Sequence, residues 1–192
     1  MLSYRNRLVE LLQLAFSGER AAGYAYRGHW GSLLNREERD RIKSIEAEEW
    51  HHRKLDGEML EQLGDVPNNH REVRPTIIGR TLQVLCYVTG WLIPMYGAGK
   101  LESRNVREYE NAARYAFGCG RLEYVDCLLT MAEVEWEHEH YFREKVLSHR
   151  LGRLLPIWPE PPPKTMIRDS FKQLVESRPA EAAGRSAVRA GR

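Results

Sequence analysis

Residues 46–55 read EAEEWHHRKL and residues 133–142 read EVEWEHEHYF. In a helix, a Glu and a His three positions apart lie one turn apart on one face, where both can reach a single ion or two neighbouring ones. With 22 Glu and 7 His in 192 residues, chance placement gives about 0.8 such pair. Four occur, all in these two clusters: Glu48/His51, Glu49/His52, Glu135/His138 and Glu137/His140.

Helical register separates the pairs. The Glu49/His52 stripe collects Ile42, Ile45, Met59 and Leu63, with Asp56 as its only other charged member, whereas the Glu48/His51 stripe collects Arg41, Ser44, Glu58 and Gln62. Glu49 and His52 are therefore expected to face inward. In the same way, the Glu135/His138 stripe collects Leu128, Met131 and Phe142, while Glu137/His140 runs with Asp126, Thr130, Glu133 and Glu144. Two further glutamates interrupt apolar stripes. Glu19 sits among Leu12, Ala15, Ala22 and Tyr26. Glu102 follows Val84, Val88, Trp91, Met95 and Ala98 and precedes Val106 and Tyr109, a line that Glu108 and Glu110 extend less well.

One inward Glu from each of two helices and Glu-x-x-His from each of two others is the ligand set of carboxylate-bridged di-iron or di-manganese bundles. Four buried carboxylates without compensation would cost several kcal/mol each, and two divalent ions neutralise them. The candidate metal ligands are thus Glu19, Glu49, His52, Glu102, Glu135 and His138, for two iron ions, with manganese as the alternative.

The rest of the chain fits an all-α architecture. Periodicity predicts a first helix over Tyr4–Leu34, a second capped by Asn35 and running to Leu63, a third helical stretch from Pro75 to Phe117, and a fourth over Leu122–Leu151. No stretch alternates like a strand, and four long helices with one long connection or a split helix make a bundle over 1–155. The run PIWPEPPPK from Pro156 is expected to be extended. A short helix over Lys164–Glu176 docks through Met166, Phe171, Leu174 and Val175, and the remaining residues to 192 read as a mobile tail.

Net charge is +2, divided as +4 in the tail from Lys164 and −2 in the body, and no basic face argues for nucleic acid. Glu outnumbers Asp 22 to 5, which suits helices. Cys86, Cys119 and Cys127 form no CxxC and no even framework, so structural zinc, rubredoxin-type iron and a secreted scaffold are disfavoured and a cytoplasmic setting is expected. Arg5 and Arg7 precede LVELLQLAF, but Glu10 and Gln13 interrupt that run and no small-residue cleavage site follows, so it reads as a mature helix. Residues 81–99, TLQVLCYVTGWLIPMYGAG, carry no charge, yet Gln83, Gly90 and Pro94 weaken a membrane span. A core helix with an apolar edge, for a greasy substrate or for peripheral membrane contact through Trp91 and Tyr96, competes with ordinary packing.

At these residues the sequence resembles the demethoxyubiquinone hydroxylases, the quinone-modifying branch of the ferritin-like di-iron superfamily. SGERAAGYAYRG, with Gly18, Glu19, Tyr26 and Gly28, is similar to the family's first-helix block. EEWHHRKLDGEML, LESRNVREYEN and EWEHEH resemble its second, third and fourth blocks, placing Glu49 and His52, Glu102 and Tyr109, and Glu135 and His138. The resemblance covers Leu8 to Leu151. It departs at Glu108, where the family has a His, and in the Pro-rich segment and basic tail, which stand in place of a further helix.

The resemblance implies a ferritin-like four-helix bundle and an oxygen-dependent monooxygenase of ubiquinone biosynthesis that hydroxylates a hydrophobic, quinone-like ring with electrons from an external donor. Glu49 and Glu135 would bridge the irons, Glu19 and Glu102 would be more terminal, and Tyr26 and Tyr109 would donate hydrogen bonds or carry electrons. Two other functions use the same residues: a ferroxidase or peroxide scavenger, and a non-catalytic metal-binding bundle. Assembly as a homo-oligomer is compatible with each.

Overall fold

Local chemistry sets where the first two helices begin. The Ser3 hydroxyl accepts from the Asn6 N–H and the Asn35 side chain from the Glu38 N–H, each satisfying a donor that the first turn leaves unpaired. The computed structural model describes residues 3–190, the side chains of 69–70 and 178–190 excepted. Its helices are α1 (Tyr4–Ser32), α2 (Arg36–Gln62), α3 (Asn69–Leu85), α4 (Leu92–Gly118), α5 (Val125–Ser148) and α6 (Thr165–Ala190), and the described residues contain no strand.

The third helical stretch differs from expectation. It begins before Pro75, at Asn69, and it divides into α3 and α4 across residues 86–91. Gly90 adopts φ +74°, which side chains resist, and Pro94 falls in the first turn of α4, where no backbone N–H is missed. The apolar line drawn back from Glu102 therefore stops at Met95, and Val84 and Val88 are 65% and 74% exposed. The fourth helix is shorter than expected, beginning at Val125 after a 3-10 turn (Leu122–Tyr124) and ending at Ser148.

α1 packs along α2 and α4 along α5, while α1 also contacts α4 and α3, giving a helical bundle with α3 laid against α1. That last contact is a backbone approach. A Cβ on Gly28 would lie 2.2 Å from the Gln83 carbonyl oxygen, and one on Gly79 2.6 Å from that of Ala21. The start of α3 is pinned by the buried Glu72, which accepts from Ser17, Arg20 and Arg53.

Two apolar clusters fill the bundle. One holds Leu8, Leu12, Met59, Leu60, Val106, Ala112, Leu128 and Met131, and the other Ala22, Tyr26, Ile42, Ile45, Met95, Phe142 and Val146. Along each of α1, α2, α4 and α5, the inward acids and histidines occupy the interval between the clusters.

Residues 156–163 form neither helix nor strand, as the prolines require, and so make no ladder to satisfy their carbonyls. Tyr96 donates to the Pro156 carbonyl, Arg143 to those of Trp158 and Pro159, and Trp136 to that of Pro162. Trp158 is itself buried in the second cluster. α6 docks through Ile167, which is buried, and Phe171; Met166, expected to dock, is exposed. The helix runs past the expected end at Glu176, and the mobility expected of the tail concerns residues whose side chains lie outside those described.

Candidate metal centre

Glu19 on α1, Glu49 and His52 on α2, Glu102 on α4, and Glu135 and His138 on α5 are all buried, and they meet between the two apolar clusters. They form two sets of four that share Glu49 and Glu135. Glu19, Glu49, His52 and Glu135 make one, and Glu49, Glu102, Glu135 and His138 the other, with one ligand atom per residue lying within 4.8 Å of the rest of its set. These buried Glu and His groups can hold a metal ion. Of the rejected pairs, His51, Glu137 and His140 are exposed and point away, while Glu48 is half-buried.

Hydrogen bonding inside the cluster is conspicuously incomplete. His52 Nδ1 lies 2.8 Å from Glu135 Oε1 and His138 Nδ1 3.3 Å from Glu49 Oε1, yet neither nitrogen makes a hydrogen bond there. Both oxygens of Glu49, both of Glu135 and Oε2 of Glu19 are likewise without partners. The other buried glutamates behave differently. Glu46 pairs with Arg27, Glu72 with Arg20 and Arg53, and Glu139 with Arg143. Among the described residues, no Lys or Arg pairs with the four inward acids of the cluster. Converging, unpaired carboxylate oxygens and imidazole nitrogens are what a cation fits.

The electrostatics follow from that crowding. Burial, then the charges of Glu19, Glu135 and Glu102, push the Glu49 carboxyl well above its ordinary range, and burial with Glu135 does the same to Glu102. Against the same burial, His138 and His52 hold Glu135 well below it. Burial alone would lower His138, but Glu135 and Glu48 raise it to about 9.

A surrounding layer orients the cluster. Tyr26 donates to Glu102 Oε1, and Asn105 donates to Oε2 at 2.9 Å. Tyr109 Oη donates to Glu19 Oε1 at 2.5 Å and lies 3.2 Å from Oδ2 of the buried Asp56. Both tyrosines thus touch acids of the cluster. His138 Nε2 lies 2.5 Å from Glu48 Oε2, and because an ionised carboxylate only accepts, this nitrogen carries the proton and leaves Nδ1 facing Glu49 and Glu135. Sequence reasoning missed Glu48 by assigning it to the outer stripe, and Asn105 gave no signal. Asp56 did give one, as the lone further charge on an inward stripe.

Two adjoining cavities lie between α1, α3 and α4. The first, about 360 Å³, is lined by Tyr26, His29, Leu82, Cys86, Ile93 and Leu101. The second, about 300 Å³, shares Ala22, Ala25, Leu82 and Leu101 with it and reaches Glu19, Tyr109, Asn105 and Glu108. Burial raises the Glu108 carboxyl, with Arg104 opposing. Outside the groove, Val73, Ile77, Val84, Tyr87 and Val88 expose an apolar surface. Trp91 and Tyr96, expected at such an edge, are instead half-buried, with Trp91 donating to Glu38 and Tyr96 to Pro156. Among the described residues, no helix is long and apolar enough to cross a membrane. Comparison with protein-family models, curated proteins and solved structures gives no match.

Proposed function

We propose that the chain is a non-haem di-iron monooxygenase, with manganese as the alternative metal, that uses dioxygen and an external electron donor to hydroxylate a hydrophobic, quinone-like substrate. The observation that carries this reading is the pair of four-residue sets sharing Glu49 and Glu135, with an apolar groove beside them that reaches Tyr26. Glu49 and Glu135 would bridge two ions, with Glu19 and His52 completing one site and Glu102 and His138 the other. Bound there, the metals would supply the redox chemistry that uses dioxygen.

The chain's own residues do the rest. Tyr26 and Asn105 fix the Glu102 carboxylate, Tyr109 fixes Glu19, and Glu48 fixes the tautomer of His138. The two apolar clusters close the centre from both ends and exclude water. The groove admits an apolar substrate, and the exposed surface of α3 suits peripheral contact with a membrane that stores it.

The test has two stages. Purified protein should hold about two ions per chain, lost on joint replacement of Glu49 and Glu135 by Ala. Anaerobic reduction, addition of labelled dioxygen and a quinone-like substrate should then give product carrying one labelled oxygen. Two ions with oxygen consumption but no incorporation across a broad substrate panel would move the assignment to a ferroxidase or peroxidase. At most one ion per chain would end the dinuclear reading.

A further inference from the structure

The first of the two cavities between α1, α3 and α4 is largely apolar: the Thr89 hydroxyl in its lining is spent on the Leu85 carbonyl, which leaves His29 as a polar side chain with no role in the metal centre. His29, one turn after Tyr26 on α1, is 2% exposed and lines the groove beside Tyr26. Its ring packs beside those of Tyr26 and Phe142, at centroid distances of 6.5 and 6.0 Å, in a triangle closed by the 5.7 Å stack of Tyr26 on Phe142. Its Nε2 is buried with no hydrogen-bond partner. Leaving such an atom unpaired in an apolar cluster is unfavourable, and a Leu at this position would remove that cost.

We infer that His29 is the recognition residue of the groove, and that the molecule bound there is an apolar ring compound bearing one neutral oxygen, a hydroxyl or carbonyl, that hydrogen-bonds to the His29 imidazole.

Two properties select that chemistry. The remaining groove lining named above, Leu82, Ile93 and Leu101 with the Tyr26 ring, favours an apolar body. The imidazole itself offers one donor and one acceptor without charge, because burial, opposed only by Glu38, lowers His29 to about 4. A neutral oxygen is matched by such a group, whereas a carboxylate or phosphate would enter a cavity whose lining holds no Lys or Arg, Arg104 lining only the adjoining one. The inference rests on the proposed hydroxylase reading only in taking the groove as that enzyme's substrate site.

Three probes of one shape test it on the full metal-loaded chain: 2-naphthol, 2-methylnaphthalene and 2-naphthoate. Binding measured by calorimetry should favour 2-naphthol over 2-methylnaphthalene by about 5- to 10-fold, as one added neutral hydrogen bond implies, and 2-naphthoate should bind no better than the methyl compound. His29→Leu should bring the ratio to about one while retaining 2-methylnaphthalene, and His29→Gln, which keeps a donor and an acceptor, should preserve most of it. In the unaltered protein, 2-naphthol but not 2-methylnaphthalene should shift the His29 imidazole nitrogen resonances, a readout that does not depend on a variant folding. Equal binding of 2-naphthol and 2-methylnaphthalene, a preference that survives His29→Leu, or tighter binding of 2-naphthoate overturns the inference. Metal analysis of the same samples separates the two readings. A chain without metal that still discriminates through His29 defeats the hydroxylase alone, and a two-metal chain that does not discriminate defeats the role of His29 alone.

Discussion

Replacing Glu49 by Gln removes an acid whose ionised form is disfavoured by burial and by the neighbouring carboxylates, in a cluster that, among the described residues, no Lys or Arg pairs with. The metal-free variant should therefore be more stable than the unaltered protein, by about 1–3 kcal/mol in urea denaturation, while its metal content falls. His29 gives a pH dependence of the opposite kind to that of a paired histidine. Its imidazole is lowered from about 6.5 to about 4 in the folded chain, so between those values the unfolded chain binds a proton that the folded one refuses. Stability from this residue is complete above pH 6.5 and lost as pH falls towards 4, about 3 kcal/mol in all. Subtracting the profile of His29→Leu from that of the unaltered protein isolates it from the buried acids Glu49, Glu102 and Asp56, which are raised in the folded chain and contribute with the other sign. At this scale the cluster was legible because a charge on an apolar stripe contradicts its surroundings, as Glu19, Glu102 and the two inward Glu-x-x-His pairs all do. Glu48 was not legible, because a long side chain beside the stripe reaches round to His138. His29 lies on the same stripe as Ala22, Tyr26 and Leu33, but a single His on an apolar face says nothing about whether its nitrogens are satisfied.

The contact of α3 with α1 depends on two missing side chains. Gly28→Ala would drive a methyl into the Gln83 backbone and Gly79→Ala into that of Ala21, so α3 must lift from its partner. Each substitution should cost about 1–3 kcal/mol, and amide exchange should rise in α3 ahead of α2 and α5. The double variant should cost little more than the worse single one, because the first displacement already removes the second clash. Helix existence was legible from period and caps, Asn35 above all. The division of the third stretch was present in the sequence as Gly90 and Pro94, yet the apolar line was drawn through them. Val84 and Val88 continue the hydrophobicity of that line but not its helix, and both face outward.

The whole molecule is closed by a segment with no helix or strand of its own. Trp158 covers Gly99 and Phe142, donates to the buried Glu139, and lies against Arg143. Trp158→Ala should cost about 3–5 kcal/mol, seen as a lower thermal midpoint, and should loosen α4 against α5 while leaving α1 on α2. Composition announced that residues 156–163 would not be helical, but not that their carbonyls would be collected by Tyr96, Trp136 and Arg143, since those partners lie up to 60 positions away. The convergence of four acids on one internal volume has a last consequence, which concerns the cell rather than the fold. In the proposed loaded form their counterions come from outside the chain, so a copy made faster than it is loaded stays longer in its weaker state. The fraction open to proteases then depends on ion supply. Scarcity of the metal would thin the population of this protein by turnover, with its synthesis unchanged.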